Sequence, residues 1–110
     1  MLMIRQEQMA VFEDYLWQRY VRALVTQALA EAPEIGAGKT LRELCEMVTP
    51  AVRRAAAHGI LIEADVTRYG RLVLRLGRDL ESDEGSVGAA LRDPELMGSE
   101  KLDALELAAR

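Results

Sequence analysis

EADVTRYGRLVLRLGR, residues 63–78, is the stretch that decides the fold. With Ile62 before it and Leu80 beyond it, apolar residues fall at Ile62, Val66, Tyr69, Val73, Leu76 and Leu80. Steps of four and three keep those side chains on one side of an α-helix. Arg68, Arg71, Arg75 and Arg78 recur at the same spacing on another side. The spacing predicts a rod over 62–80, apolar along one flank and cationic along another, around which the other helices gather. Gly77 is read as the residue that ends the helix proper. Gly70, in its middle, costs up to about 1 kcal/mol relative to alanine, so it marks a close crossing with another helix.

The rest of the chain supports an all-α reading. At 110 residues it has the size of one domain. Half of it is apolar and only 5% aromatic, and no run alternates with the period of a strand. The expectation is a single-domain bundle of about four to five helices spanning 1–110, with a long N-terminal helix. That first helix is placed from about Arg5 to Glu31, with Met9, Phe12, Leu16, Tyr20 and Leu24 in one line. Val21, Val25, Ala28 and Leu29 widen the stripe, as suits a helix with more than one neighbour. Trp17 lies off the main line and is read either as a contact anchor for a partner or as a residue at the rim of the core.

Pro33 stops the first helix, and PEIGAGK, residues 33–39, is expected to be a loop. Thr40-Leu-Arg-Glu43 has the form of a capping box, opening a second helix from Leu41 to about His58. Leu44, Val48, Val52 and Ala55 or Ala56 face inward, and Arg53 and Arg54 leave toward solvent. Pro50 either kinks that helix or splits it, with Thr49 as a new cap. Gly59 is placed as its left-handed closing residue with Ile60 as the apolar contact beyond it. His58, the one histidine, is expected to face solvent or cap the helix end. After a polar turn-rich stretch from Arg78 to Gly88, a short helix from Ser86 or Val87 to Arg92 is broken by Asp93-Pro94. A last helix opens with Ser99 as cap, Glu100 in the first turn, and Leu102, Leu105 and Ala109 inward.

Several motifs look like chemistry and fail on their context. Gly38-Lys39-Thr40 resembles the end of a phosphate-binding GxxxxGKS/T loop, but the first glycine is Pro33 and a helix, not a strand, precedes it. Asp79, Glu81 and Asp83 mimic the opening of a calcium loop, but Glu84 stands where glycine is needed and Ala90 where a bidentate acid is needed. Cys45, the one cysteine, permits no internal disulfide and is read as a small apolar filler. No nucleophile, base and orienting group can be assembled, so the expectation is a protein that is not an enzyme and needs no cofactor and no metal.

Charge is unevenly placed. Residues 1–75 carry ten Lys/Arg against nine Asp/Glu, whereas residues 76–110 carry four against nine, and the whole chain has a net charge of −4. An acidic last third argues against nucleic acid as a partner, since phosphate binding wants a broadly basic surface. A helix-turn-helix drawn over His58–Ile62 would also begin its reading helix with Glu63 and Asp65. No run approaches the length that spans a bilayer, and MLMIRQEQM at the start is too polar for a signal peptide. With the single cysteine these observations imply a cytoplasmic protein with no membrane association.

From residue 58 onward the order His58-Gly59-Ile60, then Glu63-Ala-Asp65-Val66-Thr-Arg68-Tyr69, then Leu74-Arg-Leu76-Gly77-Arg-Asp79-Leu80, then Leu91-Arg92-Asp93-Pro94, then Glu100-Lys101-Leu102 resembles a set of small helical bacterial proteins. These are often encoded beside type VI secretion effectors and spike components, and Ile4 to Met9 is similar to their opening. The resemblance implies a non-catalytic adaptor, chaperone or immunity-type partner of a secreted effector. Arg68, Arg71, Arg75, Arg78 and Trp17 are the candidate partner-binding residues, the arginines either meeting an acidic protein or pairing with the chain's own acidic last third. The alternatives are a self-associating helical module, closing its core as a homodimer, and less readily a helix-turn-helix DNA-binding regulator.

Overall fold

The structure, a computed structural model, describes the backbone from residue 12 and side chains from residue 14 to the C-terminus. Five α-helices follow in order: α1 Phe12–Glu31, α2 Leu41–Arg54, α3 Glu63–Leu76, α4 Ser86–Arg92 and α5 Gly98–Ala108. Among the described residues there is no strand, so the all-α bundle with a long first helix is what the chain forms. The expected start of α1 near Arg5, the side chains of Met9 and Phe12, and the resembling segment Ile4–Met9 lie outside the described residues.

α3 is the central element, packed against α1, α2 and α5. Tyr69, Leu72, Val73 and Leu74 are buried along it. Gly70 explains how the helices come so close. A Cβ there would lie 2.8 Å from Leu24 Cδ1 and 3.1 Å from Val52 Cγ1, so only hydrogen fits between α1, α2 and α3. α1 contributes Val21, Leu24, Val25 and Ala28 to the core, and α2 contributes Leu44, Val48, Ala51 and Val52. α1 and α2 run in opposite directions, with Asp14 near the start of one paired to Arg53 near the end of the other.

Local chemistry sets the boundaries. Thr40 Oγ1 accepts from the Glu43 N–H at 3.1 Å while Glu43 Oε1 accepts from the Thr40 N–H at 3.0 Å, the reciprocal box expected at the start of α2. α2 passes through Pro50 without breaking. The proline ring is exposed, and Thr49 donates its hydroxyl to the Cys45 carbonyl at 2.6 Å instead of capping a new helix. Such back-bonding bends a helix rather than ending it. A 3-10 turn, Ala55–His58, tightens the end of α2. Gly59 closes it with φ 78°, and the Ile60 N–H reaches back to the Ala55 carbonyl. Ile60 is fully buried, as the Schellman geometry favours.

The expectations for the rod, for Ile62 and for residues 33–39 need correction. The rod stops at Leu76, because Gly77 adopts φ 70°. Arg78 and Leu80 therefore leave the helix, although Leu80 still returns to the core. Ile62, expected on the apolar line, is 51% exposed, for it precedes the first helical turn. PEIGAGK is not wholly irregular, since Pro33–Gly36 forms a 3-10 turn with proline at its start.

The last third is held by buried polar contacts that periodicity does not reveal. Asp65, 3% exposed, accepts a hydrogen bond from the Ser99 hydroxyl at 2.9 Å. That makes Ser99 a tether between α5 and α3 rather than the α5 cap, and Met97 occupies the cap position. The Asp65 carboxylate lies in the first turn of α3 and beside the start of α5, where the positive ends of both helix dipoles favour it. Lys101 is as buried as the core leucines, and its ammonium donates to the Leu91 carbonyl near the end of α4. Burial pulls its pKa down, with Asp93 opposing. Leu102 and Leu105 are fully buried, so α5 is docked along its length.

Candidate partner-binding groove

A groove of about 400 Å³ runs between the end of α1 with the turn after it, α3, and α5. Its floor is Ala28, Ala32, Ile35 and Leu72. Arg68, Arg71 and Arg75, at helical spacing on α3, form one bank, and Glu31 and Glu34 stand on the other with Glu106 of α5 at one end. Three of the four sequence-selected arginines therefore come together. The fourth, Arg78, does not, since it lies past Gly77 and donates to Asp83 Oδ2 at 2.5 Å.

Most of the cationic bank is already paired within the chain. Arg68 grips α5 through Nε and Nη2 to the two oxygens of Glu106, at 3.3 and 2.7 Å, and through Nη2 to Asp103 at 2.9 Å. These bonds, with Glu106 first and Asp103 second, push the guanidinium pKa further above its ordinary value. Arg71 crosses the groove to Glu31 at 2.6 Å, while its Nε is buried without a partner. The Arg75 side chain is exposed and has no hydrogen bond or ion pair among the described residues. The same holds for the Glu34 carboxylate on the opposite bank. The expectation that the stripe pairs with the acidic last third holds for Arg68 and Arg78. Arg71 takes an acid from α1, which spacing alone could not indicate.

Trp17 is half-buried and packs against the core, edge-on to Tyr20 with ring centroids 5.9 Å apart. Tyr20 in turn hydrogen-bonds Thr67 of α3 at 2.6 Å. Of the two readings of Trp17, the rim of the core describes where it sits. It is not among the residues lining the groove.

A second polar constellation lies at the junction of the α2 end and the loop after α3. His58 Nε2 is 2.7 Å from Glu81 Oε2, and Arg54 Nε is 3.2 Å from Glu81 Oε1. The histidine is thus mostly buried against a carboxylate, and neither of its expected roles, facing solvent or capping, is what it does. Tyr69 points its hydroxyl toward the same region with no hydrogen-bond partner. Burial, and then Glu81 and Asp79, push its pKa well above the ordinary tyrosine value, with Arg54 opposing. Among the described residues no hydroxyl or thiol is hydrogen-bonded to His58, and no group of three metal-ligating side chains occurs. Glu81 lies 23 residues from His58, so no local pattern could have joined them.

The stretch 78–88 is a tied loop. Asp83 Oδ1 accepts the N–H groups of Gly85 and Gly88, at 2.7 and 3.0 Å. Arg92 reaches back to the Glu81 and Asp83 carbonyls. The Gly88 N–H, more than the Arg78 guanidinium, holds the Asp83 carboxyl below the usual range. The carboxylates that mimic a calcium loop are therefore engaged within the chain: Asp79 by the Glu81 N–H and the Ser82 hydroxyl, Glu81 by His58 and Arg54, and Asp83 by backbone N–H groups and Arg78.

Comparison with family models, with curated proteins and with solved structures finds no match. The described helices include none long and apolar enough to cross a membrane.

Proposed function

We propose that the protein is a non-catalytic protein–protein interaction module, docking a partner segment in the groove between α1, α3 and α5. In the setting implied by the sequence resemblance, it acts as an adaptor, chaperone or immunity-type partner of a secreted bacterial effector. The observation that carries this reading is a groove with apolar residues at its base and charged banks bridged by Arg71 and Glu31, with the Arg75 side chain exposed and unpaired among the described residues. An unpaired arginine beside apolar surface is the composition that interface anchors favour.

The architecture also says which variant tests it. Reversing Arg68 or Arg71 would break ties to Glu106, Asp103 and Glu31, confusing loss of binding with loss of structure. Arg75→Glu breaks none. Quantitative co-purification from the native cell should lose its specific partner with Arg75→Glu. It should keep that partner with Arg19→Glu, a reversal on α1 outside the groove. Retention of the partner by Arg75→Glu sinks the assignment.

Self-association is a second reading with weaker support. On the α1 and α3 lines Leu24, Tyr69 and Val73 are buried within the chain, whereas Ile62 is exposed.

A further inference from the structure

We infer that the partner segment in the groove carries both signs of charge: a carboxylate over Arg75 and an ammonium or guanidinium over Glu34, flanking an apolar residue on the Ile35–Leu72 floor. This rests on the reading of the groove as a docking site and specifies its occupant. The sequence, with four arginines at helical spacing, points to a purely acidic partner. The structure changes that reckoning. Three arginines line the groove, and so do three glutamates. Arg68 is answered by Glu106 and Asp103, and Arg71 by Glu31. What remains unanswered among the described residues is one cation and one anion, Arg75 and Glu34, both exposed.

A polyacidic segment would gain Arg75 but would cover Glu34 with like charge. A charge covered without a partner loses its hydration and gains nothing in return. A segment of mixed charge answers both groups at once. Like-charge juxtaposition then rejects wrong partners, which is how charge patterns usually confer specificity. The apolar floor supplies area and the two free charges supply orientation, a division of labour common in small sites.

Three end-blocked heptapeptides test this: Gly-Gly-Glu-Leu-Lys-Gly-Gly, the same peptide with glutamate at both charged positions, and the same with lysine at both. Binding is read from the NMR methyl signals of Ile35 and Leu72. The mixed peptide should bind more tightly than either like-charged one, by about threefold or more. Arg75→Glu should shift the preference to the two-lysine peptide, and Glu34→Arg combined with Arg75→Glu should restore preference for mixed charge, tested with the reversed peptide Gly-Gly-Lys-Leu-Glu-Gly-Gly. If the two-glutamate peptide binds wild type as well as the mixed one, the mixed-charge inference falls while the docking groove stands. If the double exchange fails to restore the preference, the inference falls equally. If no peptide moves Ile35 or Leu72 at millimolar concentration, the groove is not a docking site and the proposed function falls with it.

Discussion

Gly70→Ala measures how tightly the three central helices cross. Taken alone, alanine removes the helix penalty of glycine and should stabilise by up to about 1 kcal/mol. The new methyl, however, would lie 2.8 Å from Leu24 Cδ1 and 3.1 Å from Val52 Cγ1. Carbon atoms prefer about 3.5–4.0 Å, so both contacts are short by several tenths of an ångström. Leu24 and Val52 are buried, at 3% and 2% exposure, and have no solvent to retreat into. Overpacking of this kind costs about 1–3 kcal/mol. The net expectation is a loss of roughly 0–2 kcal/mol. For a chain of this size that lowers the melting temperature by about 4–8 °C per kcal/mol. The same substitution in a Leu24→Ala background should be neutral or stabilising, because the nearer obstacle is gone. Calorimetry on the four proteins of that cycle gives the answer. A melting temperature raised by Gly70→Ala in the wild-type background, or a cost unchanged by Leu24→Ala, would refute the close crossing.

Gly59→Ala forces an alanine to φ 78° and against Met97 Cγ at 3.3 Å, and should cost about 1–2 kcal/mol by urea denaturation. A double-mutant cycle on Arg68→Ala and Glu106→Ala should show coupling of up to about 1 kcal/mol, shrinking as salt is added; zero coupling at low salt contradicts the clamp. The Asp83 pKa is lowered in the fold. Its contribution is thus fully present above the unfolded aspartate value, about 4, and is lost as pH falls through the folded value. Wild type should therefore lose stability more steeply than Asp83→Asn on acidification below that value, and parallel acid limbs would rule this out. Arg75→Glu should change stability by no more than about 0.5 kcal/mol, as an exposed site without ties.

Much of the fold was legible because it rests on local or periodic signals. The box at Thr40, the left-handed stops at Gly59 and Gly77, and the glycine crossing at Gly70 each follow from one residue's backbone or side-chain constraint. The register of α2 and the docked face of α5 followed from spacing. What stayed hidden depends on partners distant in sequence. Nothing in the spacing around Asp65 and Lys101 marks them for burial, yet both are buried because helix ends from other elements receive them. His58 read as a surface residue because Glu81 arrives from a loop. For the candidate site, spacing located the arginine bank on α3. It could not show that Arg68 and Arg71 are engaged by α5 and α1, nor that Glu34 lines the same groove as Arg75. At Pro50 spacing left a kink and a split both open, and the unbroken α2 excludes the split, since a solvent-facing proline with a hydroxyl-bridged neighbour is tolerated inside a helix.

Hydrogen–deuterium exchange on the complex with the partner captured by wild-type protein tests the central claim most directly. Docking in the groove predicts slowed exchange over residues 28–36 and 68–76, with little change around the exposed Leu61, Ile62 and Met97. Protection concentrated at those three residues, with 28–36 and 68–76 unaffected, would contradict it.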